Sequence, residues 1–337
     1  MRIEDRRTGE SNRILIIGGN NPEADLLLMP AIKQVREQNK DAKFDILSCP
    51  DSKEILKEIG WFDTIIVHRK FLFMRTCRML RKERYKLVVC FRPSIFPYLV
   101  RTNRRLVFLK RKLFADRFFT HESVNFIRMI EPFFGKPREK EFFFPITESD
   151  RQKVRSFLNS NGIPGSTTLV AIHPGSPDMA DKWSAASYLE VCNTLTEEYN
   201  AMIFLFGESS DPVKNEIITS AKQKDRILNM SEIKNPREIV AFLEKTNLAI
   251  TRNGLFLYLA CSARIPVISI FGAGNPYRYG PLGKKYLNIH ADMDCFPCDK
   301  KRKCNKNYQC IKAISSERVI EAARLILDEN KQLFLFE

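Results

Sequence analysis

Short apolar runs alternate with segments of helical periodicity along most of the chain, and this alternation limits the possible folds more than any other feature. The runs at 13–17 and 169–172 have four or five residues each, too few for a buried helix. Segment 25–38 follows the first run and places Leu28 and Ile32 on one helical face. Such alternation predicts parallel sheets with helices on both faces.

Applied to the whole chain, the same criteria predict two sets of strands and helices. The predicted strands are 13–17, 44–47, 64–67, 87–91, 169–172, 202–206, 248–251 and 267–271. The predicted helices are 25–38, 52–59, 148–159, 183–199, 236–245, 255–262 and 315–329. Ser184 is the expected N-cap of the helix near 183.

A chain of 337 residues is long enough for two domains. The break in pattern around 162–166 predicts an N-terminal domain at 12–160 and a C-terminal domain at 165–314. Residues 315–337 are expected to form a terminal helix that can pack back on the N-terminal domain. Ligands of open parallel sheets bind at the carboxyl ends of strands, so a cleft between two facing sheets is the expected site.

The termini and apolar stretches predict a cytoplasmic protein. Residues 1–13 are polar and lack the apolar segment of a signal peptide. The most apolar stretch, 255–273, contains Arg264 and Pro266 and is better explained by a buried helix and strand than by a membrane span. The nine cysteines are therefore expected to be reduced.

The net charge of +15 is concentrated in two blocks of the N-terminal half, 69–86 and 101–117. The first block has eight basic residues and one acid, with apolar side chains between them. It could attract anionic lipid, a phosphorylated glycolipid or nucleic acid, or it could be an ordinary solvated face. No nucleic-acid-binding motif accompanies the charge, so nucleic acid is not an expected partner.

Two glycine-bearing turns follow predicted strands of the C-terminal half. The first, HPGSPDMADKW at 173–183, contains His173, Gly175, Ser176 and Lys182. The second, FGAGNPYRYGP at 271–281, contains Gly272, Gly274 and Arg278. Unpaired backbone N–H groups at such corners, with a nearby cation, favour phosphate, although glycine after a strand is also common in plain turns.

These segments resemble glycosyltransferase family 9, the bacterial heptosyltransferases. The resemblance is densest in Val170-Ala171-Ile172-His173-Pro174-Gly175 and in Phe271-Gly272 with Gly280-Pro281. It implies a GT-B fold, with two Rossmann-like doubly wound domains facing across a cleft. It also implies an inverting, metal-independent transfer, with ADP-heptose as the best-known donor. A nucleotide-sugar would bind the C-terminal domain, and an anionic lipopolysaccharide-core glycolipid at the inner membrane surface would be the acceptor.

The acceptor hydroxyl needs a carboxylate to take its proton, and Asp25 is the candidate base. The family pattern has Gly-Asp and then Pro six residues after the Asp, whereas this chain has Ala24-Asp25 and Pro30. Asp25 could equally be an acid favoured by the dipole of a helix N-terminus, and Glu23 is the alternative base.

The donor motif of the family, Asp-Ser/Thr-Gly followed after two residues by His, is altered. Aligned without gaps through Pro266, this chain has Asn253-Gly254-Leu255 and Tyr258. Asn253 and Tyr258 could bind sugar hydroxyls, Gly254 would belong to the same corner, and Glu208 could accept from a ribose hydroxyl. Tyr258 could instead be a core aromatic. The changes leave open a non-catalytic relative that binds nucleotide or sugar without transfer.

Four cysteines at C-x2-C-x5-C-x5-C spacing form the sharpest local pattern: Cys295, Cys298, Cys304 and Cys310. Four thiolates beside basic residues suit a structural zinc ion or an iron–sulfur cluster. Reduced thiols or labile disulfides are the alternatives. No cofactor is expected for catalysis itself.

Overall fold

The structure is a computed structural model that describes residues 12–107, 119–136, 141–175, 178–283, 285–298 and 304–334. The described chain divides into two compact units. The N-terminal unit comprises 12–107 and 123–136, and the C-terminal unit comprises 119–122 and 141–334.

The N-terminal unit is built on a five-stranded parallel sheet with the strand order β3-β2-β1-β4-β5. Its strands are β1 (Arg13–Ile17), β2 (Lys43–Ser48), β3 (Thr64–Val67), β4 (Arg84–Cys90) and β5 (Arg101–Val107). Its helices are α1 (Pro22–Glu37), α2 (Lys53–Ile59), α3 (Phe73–Lys82), α4 (Phe96–Leu99) and α5 (Glu122–Phe134).

The first helix begins where capping chemistry requires. Asn21 is the N-cap of α1, and its side-chain oxygen accepts a hydrogen bond from the Ala24 N–H at 2.8 Å. Pro22 occupies the first turn, where its missing N–H costs nothing. Most of the apolar residues of α1 are buried, as are residues 14–17 of the central strand β1.

The C-terminal unit is built on a six-stranded parallel sheet with the strand order β11-β10-β9-β6-β7-β8. Its strands are β6 (Leu169–His173), β7 (Met202–Leu205), β8 (Ile227–Asn229), β9 (Leu248–Arg252), β10 (Val267–Phe271) and β11 (Tyr286–His290). Its helices are α6 (Glu148–Ser160), α7 (Ala185–Tyr199), α8 (Pro212–Ser220), α9 (Pro236–Leu243), α10 (Leu255–Ser262), α11 (Pro276–Tyr279), α12 (Gln309–Lys312) and α13 (Ser316–Phe334).

The two parallel sheets with flanking helices confirm the predicted doubly wound α/β class. Ser184 is the N-cap of α7, as predicted, and its Oγ accepts from the Ser187 N–H at 3.0 Å. Within the described residues, no helix combines the length and the apolar character that crossing a bilayer requires.

Two helices near the predicted domain boundaries lie in the C-terminal unit. Helix α6, which falls within the predicted N-terminal domain 12–160, joins this unit through the ion pair of Lys153 with Glu238 of α9 and the contact of Phe157 with Phe242. Helix α13, for which the sequence allowed packing on the N-terminal domain, contributes Val319 and Leu327 to the core of the C-terminal unit. Its apolar face fits between α7 and the sheet, so the long terminal helix completes a layer there.

Three strands of the structure were not predicted from the sequence, each for a physical reason. Strand β5 is an exposed edge strand with arginines at three of its seven positions, so it lacks an apolar run. Strand β8 has only three residues, and the partly exposed edge strand β11 has one fully buried residue. Sequence patterns detect burial, and these strands are held by backbone pairing with an inner neighbour.

Candidate functional site

The topology of the C-terminal sheet singles out the carboxyl ends of β6 and β9. These strands are neighbours, yet the chain leaves β6 toward β7 on one side and reaches β9 on the other. Such a switch point is where open parallel sheets bind ligands. Residues 173–175 lie here, at and just after the end of β6, and residues 252–254 lie at and just after the end of β9.

At several corners around this switch point, a Cβ in place of glycine would press on a neighbouring side chain. A Cβ at Gly175 would overlap the carboxylate of Asp211, and one at Gly254 would lie 2.7 Å from Nη1 of Arg252. A Cβ at Gly274, after β10, would lie 2.8 Å from Nδ2 of Asn253. The corners after β6, β9 and β10 therefore adjoin one another.

His173, at the end of β6, is held as a neutral ring. Its imidazole stacks on Phe256 with the ring centres 4.9 Å apart, and its Nδ1 is buried without a hydrogen-bond partner among the described residues. Burial, as the largest cause, and the charges of Arg252 and Lys214 together lower the pKa of His173 to about 4. A neutral His173 can offer its ring nitrogens to a ligand without adding charge.

Lys214 is a cation enclosed beneath the end of β7. Its side chain is fully buried and donates to the Gly207 carbonyl and the Asn229 side chain, both at 3.2 Å, and to the Ser231 hydroxyl. Burial lowers its pKa, while the charge of Asp211 raises it. The interior behind the corner after β7 therefore holds a fixed ammonium group.

Lys182, predicted to bind the donor, lies just after a short 3-10 turn at Met179–Asp181. It lines a cavity of about 390 Å³ together with the first turns of α7 and α8. Two helix N-termini and the ammonium groups of Lys182 and Lys312 favour an anion at this place, and the carboxylate of Glu216, which lines the same cavity, opposes it. The predicted Ser176 lies outside the described residues.

The other predicted donor residues have diverse positions. Glu208 is exposed after β7. Tyr258 is buried in α10, where its hydroxyl donates to the Tyr279 carbonyl at 3.0 Å and its ring lies 4.9 Å from that of Phe142. Gly272 allows β10 to approach the Ala180 carbonyl, which a Cβ would overlap. Tyr258 and Gly272 are thus used in packing, while Glu208 is free to meet solvent.

Arg252, the last residue of β9, was not identified from the sequence as a candidate site residue. Gly254 is the glycine of the corner that leads into α10, because it is the N-cap residue of that helix and the Arg252 guanidinium lies against it. Counted from this glycine rather than from Pro266, Arg252 stands at the position of the family aspartate. The sequence signal that could have identified Arg252 is its position directly after the apolar run of the predicted strand 248–251.

In the N-terminal unit, Asp25 is fully buried at the carboxyl end of β1. Its carboxylate accepts from the Gly19 N–H at 2.6 Å and from the Ser48 hydroxyl, and a Cβ at Gly18 would overlap it. Burial raises the pKa of Asp25, although bonds from Ser48, Ser52 and Gly19 oppose that rise. The carboxylate thus closes the glycine turn between β1 and α1.

Arg92, which sequence analysis also missed, follows β4 at the switch point of the N-terminal sheet, where β1 and β4 are neighbours. Its Nε is buried and has no hydrogen-bond partner among the described residues. Its positive charge lowers the pKa values of Asp25 and His68. Arg92 therefore brings a cation close to the predicted base.

The four cysteines of the C-terminal cluster influence one another. Burial raises the pKa of the Cys310 thiol, and the thiols of Cys304, Cys295 and Cys298 raise it further. Residues 299–303 between them lie outside the described chain. Among the described residues, no group of three or more histidine, cysteine or acidic side chains has an arrangement that could hold a metal ion. The structure therefore brings the thiols near each other without forming a ligand set.

Known proteins resemble this chain over nearly its full length. A lipooligosaccharide heptosyltransferase 2 of Campylobacter jejuni is 24% identical over 318 residues, which cover 90% of this chain and 95% of that protein. A glycosyltransferase family 9 structure from Veillonella parvula covers 94% of this chain and 97% of its own, with a TM-score of 0.75 at 18% identity. E. coli ADP-heptose lipopolysaccharide heptosyltransferase II covers 95% and 99%, with a TM-score of 0.73 at 15% identity.

The sequence profile of glycosyltransferase family 9 (heptosyltransferase) matches residues 94–309, well over half of the chain. This match includes all the glycine corners of the C-terminal sheet and agrees with the doubly wound GT-B architecture of the structural relatives. The chain therefore belongs to glycosyltransferase family 9 and is a glycosyltransferase.

Proposed function

We propose that this glycosyltransferase moves a heptose from ADP-heptose to a lipopolysaccharide-core or related glycolipid acceptor, with inversion at the anomeric carbon and no metal ion in the reaction. The similar E. coli and C. jejuni proteins are named as heptosyltransferases, the former with ADP-heptose. The donor would bind the C-terminal unit, and the acceptor the N-terminal unit.

One observation supports the donor assignment above the others: the glycine corners after β6, β9 and β10 adjoin each other at the switch point. Backbone N–H groups at such corners, with the cations Lys182 and Arg252, suit the charge that develops on a departing diphosphate. The same groups would stabilise that charge without a metal. Asn253 and Glu208 would meet the sugar and the ribose.

Asp25 remains our proposed base, at the carboxyl end of β1. Its burial raises its pKa, which makes the ionised carboxylate a stronger proton acceptor. To act, the acceptor hydroxyl has to replace the Ser48 hydroxyl on Asp25 Oδ2. Glu23, half-buried in the first turn of α1, is the alternative carboxylate.

The donor proposal is tested by thermal-shift measurements with ADP-, UDP- and GDP-sugars, followed by a transfer assay with the donor that binds. We expect stabilisation by ADP-heptose, transfer that persists when EDTA replaces Mg²⁺, and a product of inverted configuration by NMR. Binding without transfer to any glycolipid acceptor would favour the non-catalytic alternative, to which the altered residues 252–258 point. A lack of binding to all three donor classes would refute the proposal.

The base is tested by Asp25→Asn and Glu23→Gln in the same transfer assay. Loss of the proton acceptor should lower kcat for Asp25→Asn by about 10²-fold or more, with little change in donor binding. Glu23→Gln should retain the activity of the wild-type enzyme. Normal kcat in a folded Asp25→Asn variant, with reduced kcat in Glu23→Gln, would assign the base to Glu23.

We also propose that the enzyme acts in the cytoplasm, at the surface of an anionic membrane that presents the acceptor. Helix α3 exposes Met74 (64%), and Phe71 (78%) stands exposed just before it. Arg75 and Arg78 are exposed on the same helix. Apolar side chains among cations match the interfacial region of an anionic bilayer, where each Arg contributes about 1 kcal/mol.

Co-sedimentation with vesicles tests this surface. The protein should bind phosphatidylcholine vesicles that contain phosphatidylglycerol and should not bind pure phosphatidylcholine. Phe71→Ser/Met74→Ser should weaken binding, and Arg75→Ser/Arg78→Ser should weaken it about 30-fold. Leu325→Ser, which removes a 56% exposed side chain from α13, is the matched control. Equal binding by all variants would contradict the proposed membrane surface.

For the cysteine cluster we propose a structural metal site. The Tyr308 N–H donates to Cys304 Sγ at 3.3 Å, because Asn307 and Tyr308 adopt positive φ angles that curl the chain around the sulfur. Backbone N–H bonds of this kind stabilise a metal-bound thiolate. The four cysteines would be the ligands, and a bound zinc ion or iron–sulfur cluster would fasten the loop.

Elemental analysis of purified protein tests this site. We expect zinc or iron bound stoichiometrically, lost in Cys298→Ser/Cys304→Ser and retained in Cys49→Ser, which changes a cysteine outside the cluster. Native protein without zinc or iron, prepared under reducing conditions, would leave the four residues as plain thiols.

A further inference from the structure

The side chain of Arg252 lies across the switch point of the C-terminal sheet. Its Nε donates to the Gly175 carbonyl after β6, and its Nη1 donates to the Asn253 carbonyl at 2.5 Å. The same guanidinium occupies the space where a Cβ of Gly254 would be. One side chain thus connects the corners after β6 and β9.

Arg252 forms no ion pair with any of the residues that the structure describes, although the carboxylate of Asp211 lies close to Gly175. Among the described residues, no carboxylate lies within 4 Å of the Arg252 guanidinium, although thirteen other ion pairs are found there. The second cation in this region, Lys214, is enclosed and bonded to neutral oxygens. Asp211 contributes one carboxylate, whose Oδ1 caps α8.

The positive charges of Arg252 and Lys214 act on the neighbouring side chain of His173. Both Arg252 and Lys214 lower the pKa of His173 through their charges, in addition to the larger effect of burial. The end of β6 therefore lies in the field of two cations, one of which, Lys214, also has the carboxylates of Asp211, Glu208 and Glu232 around it. Arg252 is left as the cation that can attract an anion there, and partial burial strengthens that attraction.

The guanidinium is also held in place before any ligand arrives. A guanidinium has five N–H donors, and the two carbonyl bonds fix its plane while leaving donors on the terminal nitrogens. Planar paired donors match the oxygen geometry of phosphate, and fixed ones lose little entropy on binding. If Arg252 only linked the two corners, a neutral hydrogen-bond donor at this position would be sufficient.

We propose that Arg252 is a diphosphate-binding residue of the donor site and that it contacts the phosphate oxygens of the nucleotide. This inference rests on the proposed function, because it takes a nucleoside diphosphate to be the ligand of the C-terminal unit. It assigns a specific role to a residue at the place where the family pattern has an acid.

Calorimetric titration of the full-length protein with ADP and with adenosine separates phosphate recognition from a structural role. Arg252→Gln should weaken ADP binding about 10- to 100-fold, the loss expected for one charged hydrogen-bonded contact, and should leave adenosine binding unchanged. Arg252→Lys should recover part of the affinity for ADP, because a point charge remains without the paired donors.

Arg226→Gln is the matched control. Arg226 is also a half-buried arginine that donates to a backbone carbonyl, that of Asn200, but it precedes β8 at the amino end of the sheet. The Arg226→Gln variant should bind ADP with the same affinity as the wild-type protein.

The outcomes distinguish the two proposals. Unchanged ADP affinity in Arg252→Gln, or equal losses for ADP and adenosine, would overturn the role of Arg252 and leave the donor assignment intact. Failure of the wild-type protein to bind ADP, UDP or GDP would overturn both. A Tm of Arg252→Gln within about 2 °C of wild type shows that the fold is retained. If its Tm is lower than that, the ADP affinity of Arg252→Lys is used to decide the role of Arg252 instead.

Discussion

Gly272 shows at the residue scale how one missing side chain positions a ligand-binding turn. The Ala273 N–H donates to the Ala180 carbonyl at 3.1 Å, which draws the turn before Lys182 against the end of β10. This approach is possible only without a Cβ at 272, because that atom would overlap the Ala180 oxygen. Sequence analysis assigned Gly272 to phosphate, and the structure shows what its small size permits.

Gly272→Ala is therefore expected to destabilise the protein by about 1–3 kcal/mol, since the colliding atom belongs to the backbone and cannot rotate away. Urea denaturation measures the change in the free energy of unfolding. Gly165→Ala is the control, because a Cβ there meets nothing within 4 Å. Equal stability of the two variants would contradict the close approach at 272.

His173 gives the protein a specific dependence on pH. Its pKa falls from 6.5 to about 4 on folding, so the unfolded chain takes up a proton that the folded chain refuses between these values. The stability that the neutral ring provides is complete above pH 6.5 and is lost as the pH falls toward 4, by up to about 3 kcal/mol.

Urea denaturation of wild type and His173→Gln at pH 7, 5.5 and 4.5 measures this effect. The difference in unfolding free energy between the two should shrink or reverse as the pH falls, because only the wild type has the titrating ring. A difference that stays constant over this range would show that His173 is protonated equally in both states.

At the scale of elements, α6 is joined to the C-terminal unit by polar contacts as well as by the packing of Phe157 against Phe204 and Phe242. Thr147 and Asp150 form a capping box, in which the Thr147 N–H donates to Asp150 Oδ2 at 2.7 Å. Arg237 from α9 donates to the same oxygen at 2.8 Å. The Thr-x-x-Asp pattern was visible in the sequence, but its partner Arg237, 87 residues away, was not.

Asp150→Asn should lower the unfolding free energy by about 1–3 kcal/mol, because it weakens the cap and the buried ion pair with Arg237 together. Chemical denaturation gives the value. Glu148→Gln, in the same turn but solvent-exposed, should change stability by less than about 0.5 kcal/mol. If Glu148→Gln proved the more damaging substitution, the surface pair with Arg155 would be the one that holds α6.

At the scale of the whole molecule, two compact units with separate cores can respond differently to a ligand. A nucleotide that occupies the corners of the C-terminal sheet stabilises that unit by mass action, about 2.7 kcal/mol at a hundred times its Kd. In the donor site that we propose, all the named contacts with the nucleotide come from the C-terminal unit.

Hydrogen exchange with and without ADP should therefore show increased protection at 170–175, 205–211, 250–254 and 271–275, with little change in β1 and β2. Apo protein measured at the same pH and temperature is the reference. Protection confined to the N-terminal unit would place the nucleotide there and would contradict the donor site proposed for the C-terminal sheet.

The sequence by itself determined the fold class and the position of the eight strands that have an apolar run, because buried parallel strands must be apolar. It also placed His173, Gly175 and Gly274 at or just after the carboxyl ends of two of these strands, where the structure has them. Only the tertiary structure identified Arg252 and Arg92, because a lone arginine after a strand has meaning only when the neighbouring strand and its partners are known. Tertiary contacts also decided that Tyr258 packs in the core, that Asp25 is covered by Ser48 and Gly19, and that α6 and α13 complete the C-terminal unit.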